Sequence, residues 1–73
     1  MHKYHINIFY SAADKGFIAD IPDLKYCSAF GKTPAEALKQ VEVAKELWID
    51  AARARGRSLP KPRYRPAIYA AAG

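Results

Sequence analysis

The segment Thr33-Pro34-Ala35-Glu36 constrains the fold of this chain more than any other feature. It sets a threonine at an N-cap, a proline at the first helical position and a glutamate at the third. Orphan N–H groups at a helix start are satisfied by that arrangement of side chains. No glycine or proline follows until Gly56. The spacing predicts a helix running to about Arg55 with Gly56 as its stop, and Arg53 and Arg55 in the last turn complement the helix dipole.

What precedes the cap has the period of strands. Residues 3–10 alternate, with Tyr4, Ile6, Ile8 and Tyr10 on one face and Lys3, His5, Asn7 and Phe9 on the other. Residues 11–16 supply a turn, in which Gly16 is able to take positive φ. Residues 17–21 read as a second strand forming a hairpin with the first. Pro22-Asp23 ends it, because proline cannot donate to a ladder. Residues 25–30 read as a third short strand, closed by Gly31. After the helix, Leu59-Pro60-Lys61-Pro62 is a stiff, extended connector. Residues 64–69 read as a fourth strand, which Pro66 confines to an edge or a bulge, and residues 70–73 as a frayed end. The expected order is β-β-β-α-β, an α+β domain with a small antiparallel sheet and one helix packed on one face.

At about 100° per residue, Ala37, Val41, Ala44, Trp48 and Ala52 gather on the helix side that covers the sheet, with Leu38 at its margin. Val43 and Leu47 point elsewhere, among Glu36, Lys39, Glu46 and Asp50. Either they mark a self-association surface or they are isolated exposed apolar residues of the ordinary kind.

The 73 residues suffice for one domain, spanning 1–73. A domain of this size buries only about 60% of its unfolded surface and usually needs a staple. The single cysteine, Cys27, excludes an internal disulfide. His2 and His5 are the only histidines and no C-x-x-C pair exists, which argues against structural zinc. Self-association is the remaining staple, so a homo-oligomer is expected. No apolar run is long enough to span a membrane, and no signal-peptide core is visible, so a cytoplasmic protein without a membrane partner is expected.

Twelve Lys and Arg against seven Asp and Glu give a net charge of +5. The excess lies late in the chain. After Asp50 there are no acids, while Arg53, Arg55, Arg57, Lys61, Arg63 and Arg65 follow. Such a segment meets phosphate or an acidic protein, or else is a solvated tail.

No residue pattern assembles a catalytic centre. Cys27 has only His2 and His5 as candidate bases, and strand alternation sets it opposite Tyr26 and Ser28, as a buried small hydrophobe. Asp14 stands in a turn, where its carboxylate can bond backbone amides; Asp20 lies late in a strand, and Asp23 lies in another turn. Their spacing does not place two of them around one metal. Gly16 and Gly31 are isolated, so no phosphate-cradling loop exists. Trp48 reads as a packing anchor. Arg63-Tyr64-Arg65 interleaves an aromatic with arginines, a short match to single-strand binding. The expectation is a protein without catalytic activity, metal or cofactor.

Taken together, Asp14-x-Gly16-Phe17-Ile18-Ala19-x-Ile21-Pro22-Asp23-Leu24, Cys27, Gly31-x-Thr33-x-x-Glu36-Ala37-Leu38, Trp48, Gly56 and Leu59-Pro60-x-Pro62 resemble the HicB family of antitoxins, including its single-domain members. The resemblance covers roughly residues 4–62. It implies a partial, degenerate ribonuclease H-like fold without the catalytic carboxylates, assembly into dimers or tetramers, and a HicA-type partner. That partner is a small mRNA-cleaving toxin with a double-stranded-RNA-binding-like fold. Many members carry a second, C-terminal DNA-binding domain; none is expected here. The family commonly has Pro-Gly before the cysteine. Lys25-Tyr26 stands there in this chain, and a changed turn is expected. The matched residues read as structural: Gly16 and Gly31 for turns, Asp14, Pro22 and Asp23 for loops, Cys27 and Trp48 for packing, Thr33 and Glu36 for the cap, and Pro60 for the helix exit. The function implied is neutralisation of a HicA-type toxin by occluding its RNA site. The alternative is nucleic-acid binding through Arg53, Arg55, Arg57, Arg63 and Arg65.

Overall fold

The computed structural model describes residues 3–65. Three strands and a helix follow in order: β1 (Asn7–Ser11), β2 (Gly16–Asp20), β3 (Ser28–Gly31) and α1 (Pro34–Ala54). The sheet is antiparallel with order β1-β2-β3. This is the expected α+β arrangement as far as β-β-β-α. Of the fourth strand expected over 64–69, Tyr64 and Arg65 are irregular, and the rest lies outside the described residues.

The β1–β2 hairpin closes where Ser11 faces Gly16. Within its turn the Lys15 N–H donates to the Ala12 carbonyl at 3.3 Å. Lys15, not Gly16, takes the left-handed conformation, at φ 54°. Gly16 is needed for room instead: a Cβ there would press on the Phe30 ring and lie 2.9 Å from the Gly31 carbonyl oxygen. Gly31 is likewise a close-approach residue and not a turn glycine. A Cβ on it would lie 2.7 Å from the Ala37 Cα, because the first turn of α1 crosses directly over the end of β3.

The third strand is shorter than its sequence pattern suggests. Two successive turns precede it, the Leu24 N–H donating to the Ile21 carbonyl at 3.1 Å and the Cys27 N–H to the Leu24 carbonyl at 3.0 Å, and Lys25 and Tyr26 are the centre of the second. The Ile21 N–H then closes the loop onto the Cys27 carbonyl at 3.0 Å. These bonds turn Ile21, Leu24 and Cys27 inward as part of the core.

At the start of α1 the Glu36 N–H donates to Thr33 Oγ1 at 3.1 Å. The Glu36 carboxylate accepts from the Lys32 N–H at 3.1 Å, one residue earlier than in a standard capping box. At the other end, Gly56 at φ 69° donates to the Arg53 carbonyl, and the Arg57 N–H donates to the Ala52 carbonyl at 2.9 Å. That pair of bonds is a Schellman motif, the stop expected from Gly56.

The helix buries Ala37, Val41 and Ala52 as expected, with Ala44 and Trp48 half-buried. It also buries Ile49, only 1% exposed, which lies at the margin of that face. The margin is buried here because the 21–27 loop and Tyr4 join Ile49 in one cluster. Leu38, at the same margin near the other end of the helix, has no such cover and stays exposed.

Candidate functional site

The strand register sorts the sheet into two faces. Ile8 pairs with Ala19 and Ala19 with Ala29, and Ala19 and Ala29 of this row pack into the core that α1 covers. On the opposite face Phe9 pairs with Ile18 and Ile18 with Phe30. An apolar row therefore crosses all three strands on the face that no described element covers. Phe9 is 51% exposed and Phe30 41%, with Ile18 between them. Beside that row β1 is an edge strand, and no described strand pairs with its outer side. Ile8 and Tyr10 are exposed as well, and Tyr10 meets Phe17 edge-on at 5.4 Å across the β1–β2 pair. The alternation of residues 3–10 separates Phe9 from the core-facing residues. Only the pairing register aligns it with Ile18 and Phe30.

A groove of about 320 Å³ opens at the C-terminal end of α1. Tyr26 and Trp48 line it, with Ala52 and the basic residues Lys25, Arg55 and Arg57. The Trp48 Nε1–H donates to the Lys25 carbonyl at 3.0 Å, which fixes the indole against the 21–27 loop. The Lys25 ammonium lies 5.3 Å from the centre of the Tyr26 ring, within reach of a cation–π contact. Tyr26 is 91% exposed and holds φ at 63°. That is the left-handed conformation a glycine adopts freely and a tyrosine adopts at a cost of about 1–2 kcal/mol. Lys25-Tyr26 therefore serves as the turn before Cys27 with tyrosine doing what glycine does easily.

The basic residues expected to act together are divided. Arg55 and Arg57 line the groove, while Arg53, Arg63 and Arg65 do not. All five are exposed. Val43 and Leu47 are exposed on the helix away from the core.

The three aspartates serve separate turns and ends. The Asp14 carboxylate accepts from the Ser11 hydroxyl at 2.8 Å, and that hydroxyl in turn accepts the Asp14 N–H at 3.3 Å. The Asp14 carboxylate thus meets a hydroxyl where a backbone amide was expected. Asp20 ends β2, and Asp23 holds the chain after the helix by accepting the Arg63 and Tyr64 N–H groups. Among the described residues no three His, Cys, Asp or Glu side chains come together as a metal set. Cys27 is buried in the core. Burial pushes its thiol pKa up, with the Asp20 charge acting in the same direction and Lys45 opposing. Tyr4 is raised too, by burial and then by the Asp23 carboxylate. No helix among the described residues is long and apolar enough to cross a membrane.

The fold and its surfaces define a class: a small three-stranded antiparallel sheet with one helix on one face and an apolar row on the other. The chain belongs to the UPF0150 family. Over 53 residues it is 38% identical to the UPF0150 protein ssl0259 of Synechocystis sp. (strain ATCC 27184 / PCC 6803 / Kazusa), an alignment covering 73% of each chain. No family model and no solved structure matches the chain.

Proposed function

We propose that this protein is a non-catalytic, HicB-like binding module that neutralises a small HicA-type ribonuclease toxin by covering its RNA site. The observation that carries the reading is the Phe9–Ile18–Phe30 row on the uncovered sheet face beside the β1 edge. Exposed contiguous apolar surface on a small domain marks a protein interface. An edge strand adds backbone donors and acceptors that recruit a partner strand. Membership of the UPF0150 family and the motif string around Gly16, Gly31, Thr33 and Glu36 support it. In this reading the protein acts in the cytoplasm and self-associates through Val43 and Leu47, leaving the sheet free for the toxin.

The test is mRNA cleavage by a purified HicA-type toxin in the presence of the full chain. Stoichiometric wild-type protein should abolish cleavage. Phe9→Glu, at an exposed position of the open face, should keep its melting temperature and lose the inhibition; Ile18→Glu, at a half-buried position of the central strand, should lose the inhibition with a lowered melting temperature. Undiminished cleavage at a large excess of wild-type protein, with no complex on size exclusion, would refute the reading.

A further inference from the structure

The groove at the end of α1 has a composition that the toxin-binding reading does not use. Among the described residues its lining combines two aromatic rings with three cations and contains no carboxylate. We propose that it binds a nucleoside phosphate, with the base stacked against Tyr26 and Trp48 and the phosphate held by Arg55 and Arg57. This site is independent of the sheet face.

Three observations point to that ligand. The first is shape. About 320 Å³ lies at the lower end of the range of small-molecule pockets, room for one nucleotide unit and not for a protein element. The second is the exposure of Tyr26. A tyrosine that is 91% exposed at φ 63° buries little, and its replacement by glycine would relieve backbone strain. Strained, solvent-held residues of this kind gather at ligand sites. The third is charge. A helix C-terminus ordinarily repels anions. Here the carbonyls of Ala51, Ala52 and Arg53 already accept from the N–H groups of Arg55, Gly56 and Arg57. The same Schellman turn carries Arg55 and Arg57 into the lining of the groove that Lys25 shares. A bare anion would not need the aromatic walls, and a hydrophobic ligand would not need the arginines. A nucleoside phosphate uses both.

The chain holds a single tryptophan, so Trp48 emission comes from a wall of the groove. The full-length protein is titrated with adenosine monophosphate, a short oligoadenylate, inorganic phosphate and a triglutamate peptide. Saturable quenching is expected with the adenylates. If the mononucleotide saturates as readily as the oligomer, the ligand is a free nucleotide. If only the oligomer binds tightly, with an affinity falling linearly in log salt, the ligand is a single strand. Either result supports the site.

Arg57→Ala should weaken binding at least about tenfold without lowering the melting temperature, and Arg55→Ala should weaken it as much while losing only the roughly 0.3–1 kcal/mol that a cation at the helix end contributes. Tyr26→Gly separates binding from folding. Its melting temperature should stay level or rise, while its affinity falls by about five- to a hundred-fold, as for loss of a stacked base. Three results would overturn the proposal: no quenching at millimolar adenylate, equal binding of phosphate or triglutamate, or full affinity in Tyr26→Gly.

Discussion

Asp23 holds Tyr64 across 41 positions of the chain: its carboxylate oxygens accept the Tyr64 N–H at 3.1 and 3.2 Å. The Arg63 N–H donates to the same carboxylate at 3.1 Å. Tyr4 adds a second fastening through its hydroxyl, which donates to the Pro60 carbonyl, and His5 lies 4.8 Å from Tyr64, ring centre to ring centre. The segment after the helix is thus tied to both the 21–27 loop and the N-terminal strand region. Asp23→Ala should cost about 1 kcal/mol, because these bonds are open to water, or roughly 4–8 °C in melting temperature. Tryptic cleavage after Arg63 should accelerate. Asp23→Asn keeps one acceptor oxygen and should fall between. Unchanged cleavage in Asp23→Ala would show that the carboxylate does not hold the segment.

Alkaline pH should loosen this same region. The Tyr4 hydroxyl and the Cys27 thiol both have folded pKa values above their ordinary 10.0 and 9.0. Groups raised in the folded state contribute stability that is intact below the unfolded pKa and is lost as pH climbs through the folded one. The melting temperature should therefore be insensitive to these groups below about pH 9 and decline above it. Tyr4→Phe should start lower, having lost the Pro60 bond, and decline less steeply between pH 9 and 11. Cys27 should react with a thiol reagent at pH 8 far more slowly than in urea-unfolded protein.

The two strand glycines should respond differently to an added methyl. At Gly31 the obstruction is backbone of the first helical turn, with Ala37 Cα at 2.7 Å, so Gly31→Ala should cost about 3 kcal/mol or more. At Gly16 the nearest obstruction is the outer edge of the half-exposed Phe30 ring, which can swing aside. Gly16→Ala should cost roughly 1–2 kcal/mol. Chemical denaturation of both variants checks the order, and a Gly31→Ala protein as stable as Gly16→Ala would contradict the crossing described for α1.

Ile49 and Leu47 stand two positions apart on the helix and should behave as opposites. Ile49 is 1% exposed and Leu47 is 65% exposed. Ile49→Ala should lose about 2–5 kcal/mol, and Leu47→Ala no more than about 0.5 kcal/mol in the monomer. If the chain self-associates through Val43 and Leu47, the double variant Val43→Glu/Leu47→Glu should lower the mass found by light scattering while leaving the fold intact.

The local chemistry of the chain was enough to specify the helix with its two ends and the first hairpin, though not the strand bounds: residues 3–6 and 25–27, expected as strand, are irregular or in a turn. The Thr33 cap, the stop at Gly56 and the hairpin of β1 and β2 follow from residue type and spacing within a few positions, whereas Cys27 is buried as expected but by the 21–27 loop and not by strand alternation. Membership of the α+β class follows from their order. The sequence by itself also separated Phe9 from Tyr4 and Ile6, because alternation is a property of one strand. It could not align Phe9 with Ile18 and Phe30, or reveal that Gly16 and Gly31 are present for room. It could not bring Tyr26 to Arg57 or Asp23 to Tyr64. Those relationships join distant positions, and they depend on strand register and on where the helix crosses the sheet. Register, crossing and the return of the chain are set by how the whole core fills its space, which only the tertiary structure decided.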